Sequence, residues 1–464
     1  MPLFLFLACG GGPSGDRRHD GPIVLITFSS LRADVVGGLG GESGLTPQLD
    51  ALIRQADWSG RAVAASSWGA PAMASLLTGL RPWQHQLLHA GSPPLSPDLL
   101  TLAEALKAAG YTTAAYPSGS WYTKEHGFAQ GFDVFEAGGK GRDGAEALQR
   151  LGVRREGREG RELVWIHVPE PQAPYVLRRR LLSRLQGGPR ELPARIRPLQ
   201  LEAFFDPGVP LPEARRQRLW DMYLLNVAWA DEKLGRLLEA LRASGQWDRT
   251  LLVVTADHGE EFREQGQMGR GGNLGRQLLE VPLVVKLPAG SGLQLRAPEG
   301  EHAGAARLWA TLVEAAGGPV PPAVAPSLFR PVAPPVLSEL YLTNGLNRFS
   351  LVQGNDQLLW DSRFAPPEPD YYRARLRALA GEAARPPLVL DRLERAFDAT
   401  PPLQGRGQPS LRLERWGERE SLPATDPQRT AEMARRLAEA WKSFACGDLP
   451  PGEEARHRTP QLPL

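Results

Sequence analysis

The strongest constraint on the fold is a set of short apolar runs, too compact for helices and too continuous for half-exposed strands. Pro22-Ile-Val-Leu-Ile-Thr-Phe28 is unbroken between Gly21 and Ser29, which predicts a strand buried on both faces of a parallel sheet. Leu251–Thr255, Val281–Leu287, Leu163–His167 and Thr112–Tyr116 read the same way. Between them, Ala72–Leu80, Leu99–Ala109 and Leu219–Ser244 carry apolar residues at three- and four-residue spacing, the last stopped by Gly245. This alternation predicts an α/β fold with a central, mostly parallel sheet flanked by helices. Gly317–Pro335, dense in Pro, Gly and Ala, reads as a connection. Beyond it, two short antiparallel strands (Phe349–Gln353, Gln357–Trp360) and a closing helix (Thr430–Ala445) predict a smaller α+β subdomain. The expected division is therefore 1–21 leader and tether, 22–318 α/β domain and 319–464 C-terminal subdomain.

A chain of 464 residues is long enough for such a core. With two cysteines, Cys9 and Cys446, it excludes a disulfide-stapled fold and a Cys-rich zinc cluster. Lys plus Arg number 54 against 52 for Asp plus Glu, a balance that indicates no nucleic-acid partner. The Arg-rich stretch Arg178–Arg216 reads as a solvated excursion, with a contact surface for an acidic ligand as the alternative. No apolar run reaches the roughly 18 residues of a spanning helix. At the amino terminus, apolar Pro2–Ala8 is followed directly by Cys9 and a Gly-rich polar tether. That order resembles a bacterial lipoprotein signal, which implies acylation of Cys9 and a lipid-anchored protein of the cell envelope.

Ligands of open α/β sheets gather beyond the carboxyl ends of the strands. There the sequence places Ser29-Ser30-Leu31-Arg32-Ala33-Asp34, then His167 to Tyr175, then Asp257-His258-Gly259-Glu260-Glu261. Together with Thr46-Pro-Gln-Leu-Asp50, Ala74–Gly79, Gly127–Asp133, Val281-Pro-Leu283 and the closing segment Leu413–Asp426, these motifs resemble, in order and spacing, the sulfatase family of the alkaline phosphatase superfamily. The resemblance implies an ester-hydrolysing site with one or two divalent cations (calcium, or zinc or manganese) held by carboxylates and His, beside a nucleophile at a helix start. In sulfatases that nucleophile is a Cys or Ser converted to formylglycine, and in phosphoryl-transferring relatives a Thr or Ser.

Position by position, the sequence departs from that plan. Where the family carries a metal-binding Asp after the first strand, this chain has Ser29 and Ser30; at the nucleophile position it has Gly69. His167, Glu170, Pro171, Pro174 and Tyr175 of a family element remain, but its second His is Gln172, and a family Gly-His-Gly reads Gly269-Arg270-Gly271. Asp257 and His258 remain. Two readings of them stand: structural groups, with Arg270 able to pair with Asp257, or a residual weak cation site. Arg32 and Asp34 are expected to pair locally, His85 to be a packed loop histidine, and Lys124 and His126 to be solvated in a loop near the pocket mouth. Deleting a nucleophile costs on the order of 10⁶ in turnover in other hydrolases. The expectation is thus a sulfatase-like protein that is catalytically inactive, holds no cofactor and acts by binding an anionic ligand or envelope partner. The alternative is an active metal-dependent sulfuric or phosphoric ester hydrolase or transferase whose nucleophile is Ser66 or Ser67.

Overall fold

The computed structural model describes residues 18–41, 44–138, 144–151, 160–186, 191–198, 201, 210–296, 302–321, 324–332, 334–342, 347–362, 410–416, 421–423, 429, 432–433 and 436. Cys9, Cys446 and most of the expected closing helix lie outside them. The α/β domain is built on an eight-stranded sheet. In chain order its strands are β1 (Ile23–Ser29), β2 (Trp58–Val63), β3 (Thr112–Pro117), β4 (Val134–Phe135), β5 (Glu162–Pro171), β6 (Leu251–Ala256), β7 (Glu280–Lys286) and β8 (Ala303–Gly304), arranged in space as β8-β2-β7-β6-β1-β5-β3-β4. β1 lies at the centre, parallel to both β5 and β6, and all seven of its residues are buried. Its apolar continuity thus reflects helices or loops over both faces, each buried Ile, Val or Leu contributing about 1.5–3 kcal/mol.

One strand differs from expectation in direction. β7 is antiparallel to both β6 and β2, because the chain returns from β6 without a crossover helix: only a two-stranded ribbon (Glu261–Phe262 with Met268–Gly269) and the short helix Arg276–Leu279 intervene. A strand buried on both faces has the same hydrophobic pattern in either direction, so periodicity cannot distinguish them. β2, Trp-Ser-Gly-Arg-Ala-Val, was not visible as a strand because its first four residues are only half-buried.

α1 (Gly69–Thr78) is buried along its whole length. α2 (Leu102–Ala108) begins at a capping box, in which the Thr101 hydroxyl accepts from the Glu104 amide and the Glu104 carboxylate accepts from the Thr101 amide; that box, rather than Leu99, fixes its start. α3 (Glu213–Ala243) begins two turns before the expected Leu219, because its first turns are polar and carry no apolar stripe. The Arg-rich excursion therefore ends inside a helix. α4 is Arg307–Ala315. From α3, Asp231 caps the helix Pro47–Ile53 by accepting from the Gln48 and Leu49 amides, and the Tyr223 hydroxyl donates to the Ser30 carbonyl at the sheet's centre. Within the excursion, the Arg178 guanidinium lies over the Trp229 ring of α3, 4.1 Å from its centroid.

The C-terminal subdomain is an antiparallel meander of five strands, β9 (Val336–Tyr341), β10 (Asn347–Gln353), β11 (Asp356–Ser362), β12 (Ser410–Trp416) and β13 (Ser421–Pro423), in sequential order. It docks through β9: the Ser338 hydroxyl donates to the Ala64 carbonyl, the Glu339 amide donates to the Ala65 carbonyl, and the buried Glu339 carboxylate accepts from the Trp83 amide.

A buried ion cluster ties β2, β7 and the Arg276–Leu279 helix together. Glu280 accepts from Arg61 Nη1 at 3.0 Å and Arg276 Nε at 3.0 Å, and meets His302 Nε2 at 2.7 Å. Burial alone would raise the Glu280 carboxyl, but His302, Arg276 and Arg61 prevail and hold it at about 2. A folded pKa below the unfolded value of about 4.3 means stability that is present above that value and lost as pH falls toward 2, about 3 kcal/mol in all. In urea unfolding, the stability gap between wild type and Glu280→Gln should therefore narrow as pH drops below about 4. A gap constant from neutral pH downward would show that the charge carries none of it.

Candidate functional site

The site forms where β1, β5 and β6 end and α1 begins. Asp257, one residue past β6, is 1% exposed and accepts hydrogen bonds from two sides. Oδ1 receives the amides of His258 (2.7 Å) and Ser30 (3.1 Å). Oδ2 receives the Tyr122 hydroxyl (2.7 Å) and lies 3.2 Å from the Ser29 hydroxyl, whose single proton is shared with Gln172 Oε1 at 2.6 Å. Ser30 aims its amide inward from a left-handed backbone (φ 63°), a conformation that costs a non-glycine residue energy and persists where surrounding contacts enforce it. Burial by itself would raise the Asp257 carboxyl, but the imidazoles of His258 and His167, the Tyr122 hydroxyl and the Ser30 amide outweigh it and hold the carboxyl below its ordinary range.

Gly69, the first residue of α1, points its missing side chain at this carboxylate. A Cβ there would lie 2.7 Å from the Tyr122 hydroxyl, 3.1 Å from Asp257 Oδ2 and 3.3 Å from His258 Nε2. The structure thus brings Gly69, Ser29, Ser30, Asp257 and His258 together, with His167 packed edge-on against Tyr122 at 4.4 Å between ring centroids. The space that remains is about 40 Å³, lined among others by Ser29, Gly69, His167, Gln172 and Arg270, room for a few water molecules.

The two imidazoles are set by their partners. His258 Nδ1 lies 2.7 Å from the Gly259 carbonyl, which can only accept, so Nδ1 carries a proton there; Nε2 has no hydrogen-bond partner among the described residues. Burial lowers His167 to about 4, leaving it neutral at pH 7; its Nδ1 meets the Thr27 hydroxyl at 2.9 Å and its Nε2 is likewise unpartnered.

The expected ion pair between Arg270 and Asp257 is not formed. Arg270 Nη1 instead lies 3.8 Å from Glu260 Oε1. Glu260 is fully buried and among the described residues neither of its oxygens accepts a hydrogen bond, so Arg270 turns to an otherwise unanswered carboxyl, while Asp257 already accepts from the His258 and Ser30 amides and the Tyr122 hydroxyl. Arg32 pairs with Asp34 and also with Glu264, and lies over the Trp220 ring. His85 is buried; its Nδ1 accepts from the Leu87 amide, which places the proton on Nε2, facing Ser75 Oγ and the Pro71 carbonyl. Burial lowers it to about 3.

Sequence reasoning missed Tyr122. The loop after β3 does approach the pocket, but through Ser118 to Tyr122 and not through Lys124 or His126; His126 packs on Trp121, which meets Trp68 edge-on at 4.9 Å. The signal was available: Tyr122 follows the carboxyl end of a parallel strand, the place where site residues gather.

A divalent cation needs several converging lone pairs. Here the one carboxylate has four donors on it, Ser29 and Gln172 are neutral, Arg270 is positive, and among the described residues no three His, Cys, Asp or Glu converge on one point. The donor set does not fit a calcium, zinc or manganese site.

The family model for sulfatases matches residues 22–159 and 166–318. The chain belongs to the sulfatase family. It is similar to an ulvan-active sulfatase of Formosa agariphila, 26% identical over 282 residues, which are 55% of this chain and 55% of that protein. It is also similar to a multifunctional alkaline phosphatase superfamily protein, PehA, of Trinickia caryophylli, 33% identical over 79 residues, 17% of this chain and 15% of that protein. The chain thus spans about half the length of one curated relative and less than a sixth of the other. Among solved structures, a phosphonate monoester hydrolase from Silicibacter pomeroyi superposes with a TM-score of 0.60 at 17% identity, covering 94% of this chain and 97% of that one, which shows the shared fold.

Proposed function

We propose that this sulfatase-family protein does not hydrolyse esters and acts by binding. One observation carries the proposal: at the position where the family resemblance expects the nucleophile there is Gly69, and the space a side chain would need is taken by the Tyr122 hydroxyl bonded to Asp257. Gly69 brings no group that could attack a sulfur or phosphorus centre, and Asp257 serves as an anchor for hydrogen-bond donors rather than as a cation ligand. The alternative nucleophiles gain no support, since among the described residues the buried Ser66 and Ser67 hydroxyls have no hydrogen-bond partner to take up a proton. Purified protein given aryl sulfates or aryl phosphates, with or without calcium, zinc or manganese, should show only background hydrolysis. Turnover that is abolished by Ser66→Ala or Ser67→Ala would establish the active alternative.

The same reading places the protein at the bacterial envelope, held by acylation of Cys9, with an anionic ligand or an envelope component as its partner. Among the described residues no helix is long and apolar enough to cross a membrane. The expected result is detergent-dependent fractionation of the wild type that is lost in Cys9→Ser. A wild-type protein that fractionates without detergent would remove the anchor from the account.

A further inference from the structure

A cavity separate from the Asp257 site is formed elsewhere in the fold. It measures about 850 Å³ and opens where α1 ends, α4 begins and β9 docks, at the other end of α1 from Gly69, about 14 Å along the helix axis. That volume is in the range of small-molecule sites. Its wall is mostly apolar, with Val63, Val324, Val336 and Leu337 among its residues, and Arg81, Arg307, Arg436 and Glu432 also line it.

Arg307 is the unusual member. It is 2% exposed. Its Nε donates to the Pro326 carbonyl and its Nη2 to the Ser327 and Arg330 carbonyls, at 2.7, 2.7 and 3.3 Å. These bonds fix the 326–330 turn and account for two of its three nitrogens. Nη1 has no hydrogen-bond partner among the described residues, and no carboxylate there pairs with the group, burial being the sole influence that lowers it, to about 10. The charge is therefore present at neutral pH. Glu432 does not answer it, being bridged to Arg429 and Arg436. A buried, uncompensated guanidinium is costly unless a counter-charge arrives, and α4 begins at Arg307 itself, with its N-cap Ala306 also lining the cavity, so the helix's positive end lies at the same space.

We infer that this cavity is a binding site for a small amphipathic anion, whose oxyanion head is received by Arg307 Nη1 and the start of α4 and whose apolar body lies against Val63, Val324, Val336 and Leu337. The site is separate from the Gly69 pocket, so activity or silence there leaves this inference untouched. Carboxylate and sulfate heads share the chemistry that a guanidinium recognises, and the test separates them.

The full chain is titrated with 8-anilinonaphthalene-1-sulfonate, followed by fluorescence, and the probe is then displaced by decanoate, decyl sulfate or the neutral decanol, all below micelle formation. Saturable one-to-one binding is expected, displaced by one or both anions and not by decanol. Arg307→Lys should keep binding within a few-fold, whereas Arg307→Gln should weaken it by tenfold or more, about 1.4 kcal/mol. Because Arg307 also holds the 326–330 turn, Ala325→Trp, which puts an indole at the cavity wall, and Arg436→Gln carry the test if Arg307→Gln does not fold; each should weaken the probe. The inference is overturned by absence of saturable binding, by displacement with decanol as effective as with the anions, or by binding indifferent to Ala325→Trp.

Discussion

A Gly69→Ser variant should hydrolyse aryl sulfates and aryl phosphates no faster than the wild-type protein, although it restores a hydroxyl where the family resemblance expects the nucleophile. A Cβ at position 69 would meet the Tyr122 hydroxyl at 2.7 Å, a separation that forces something to move. The yielding group is Tyr122, whose hydroxyl would leave Asp257, and breaking a buried bond to a charged acceptor costs about 1.5–3 kcal/mol. The variant should therefore be less stable and still silent. Adding Tyr122→Phe should relieve the contact without restoring turnover, because Ser29, Gln172 and Arg270 still stand where the family resemblance expects ligands and imidazoles. The deficit of about 10⁶ expected from a missing nucleophile would then persist after the nucleophile is returned. A clear rise in initial rate in Gly69→Ser alone would show that the remaining groups form a working site.

Asp257→Ala should produce the largest loss of stability of any substitution at the site, about 3–5 kcal/mol by urea unfolding. The alanine would strand the His258 and Ser30 amides and the Tyr122 hydroxyl, all buried. Ser30 would also lose the bond that helps hold its left-handed backbone. Tyr122→Phe, which removes one donor and leaves the carboxylate three, should cost about 1–2 kcal/mol. A loss below about 1 kcal/mol for Asp257→Ala would mean that the carboxylate is not the anchor described here.

Much of this architecture was legible because burial imposes a pattern. β1, β5 and β6 announce themselves as unbroken apolar runs, and their carboxyl ends located the residues that meet at Asp257. β2 was hidden because Ser59, Gly60 and Arg61 break its apolar run, and the direction of β7 because direction leaves no trace in hydrophobicity. The start of α3 escaped because Glu213 to Arg218 carry no apolar stripe, although Pro212 stands immediately before the helix. At the site, the departures of Ser29, Gly69 and Arg270 from what the family resemblance expects could be read from residue types alone. What replaced them could not: that Tyr122 reaches Asp257, and that Arg270 turns to Glu260, depends on loop paths that no local spacing encodes. Arg307 likewise reads in sequence as one of many arginines, and only burial without a carboxylate distinguishes it.

The central claim is that Asp257 is held by hydrogen bonds and not by a cation, and metal content tests it most directly. Protein purified without chelator should contain well under one calcium, zinc or manganese per chain by elemental analysis, and calorimetric titration with calcium should give no tight site. Arg270→His combined with Ser29→Asp, which replaces a fixed positive charge by a lone pair and adds a carboxylate, should raise cation affinity. Tight one-to-one calcium, zinc or manganese in the unmutated protein would contradict the account.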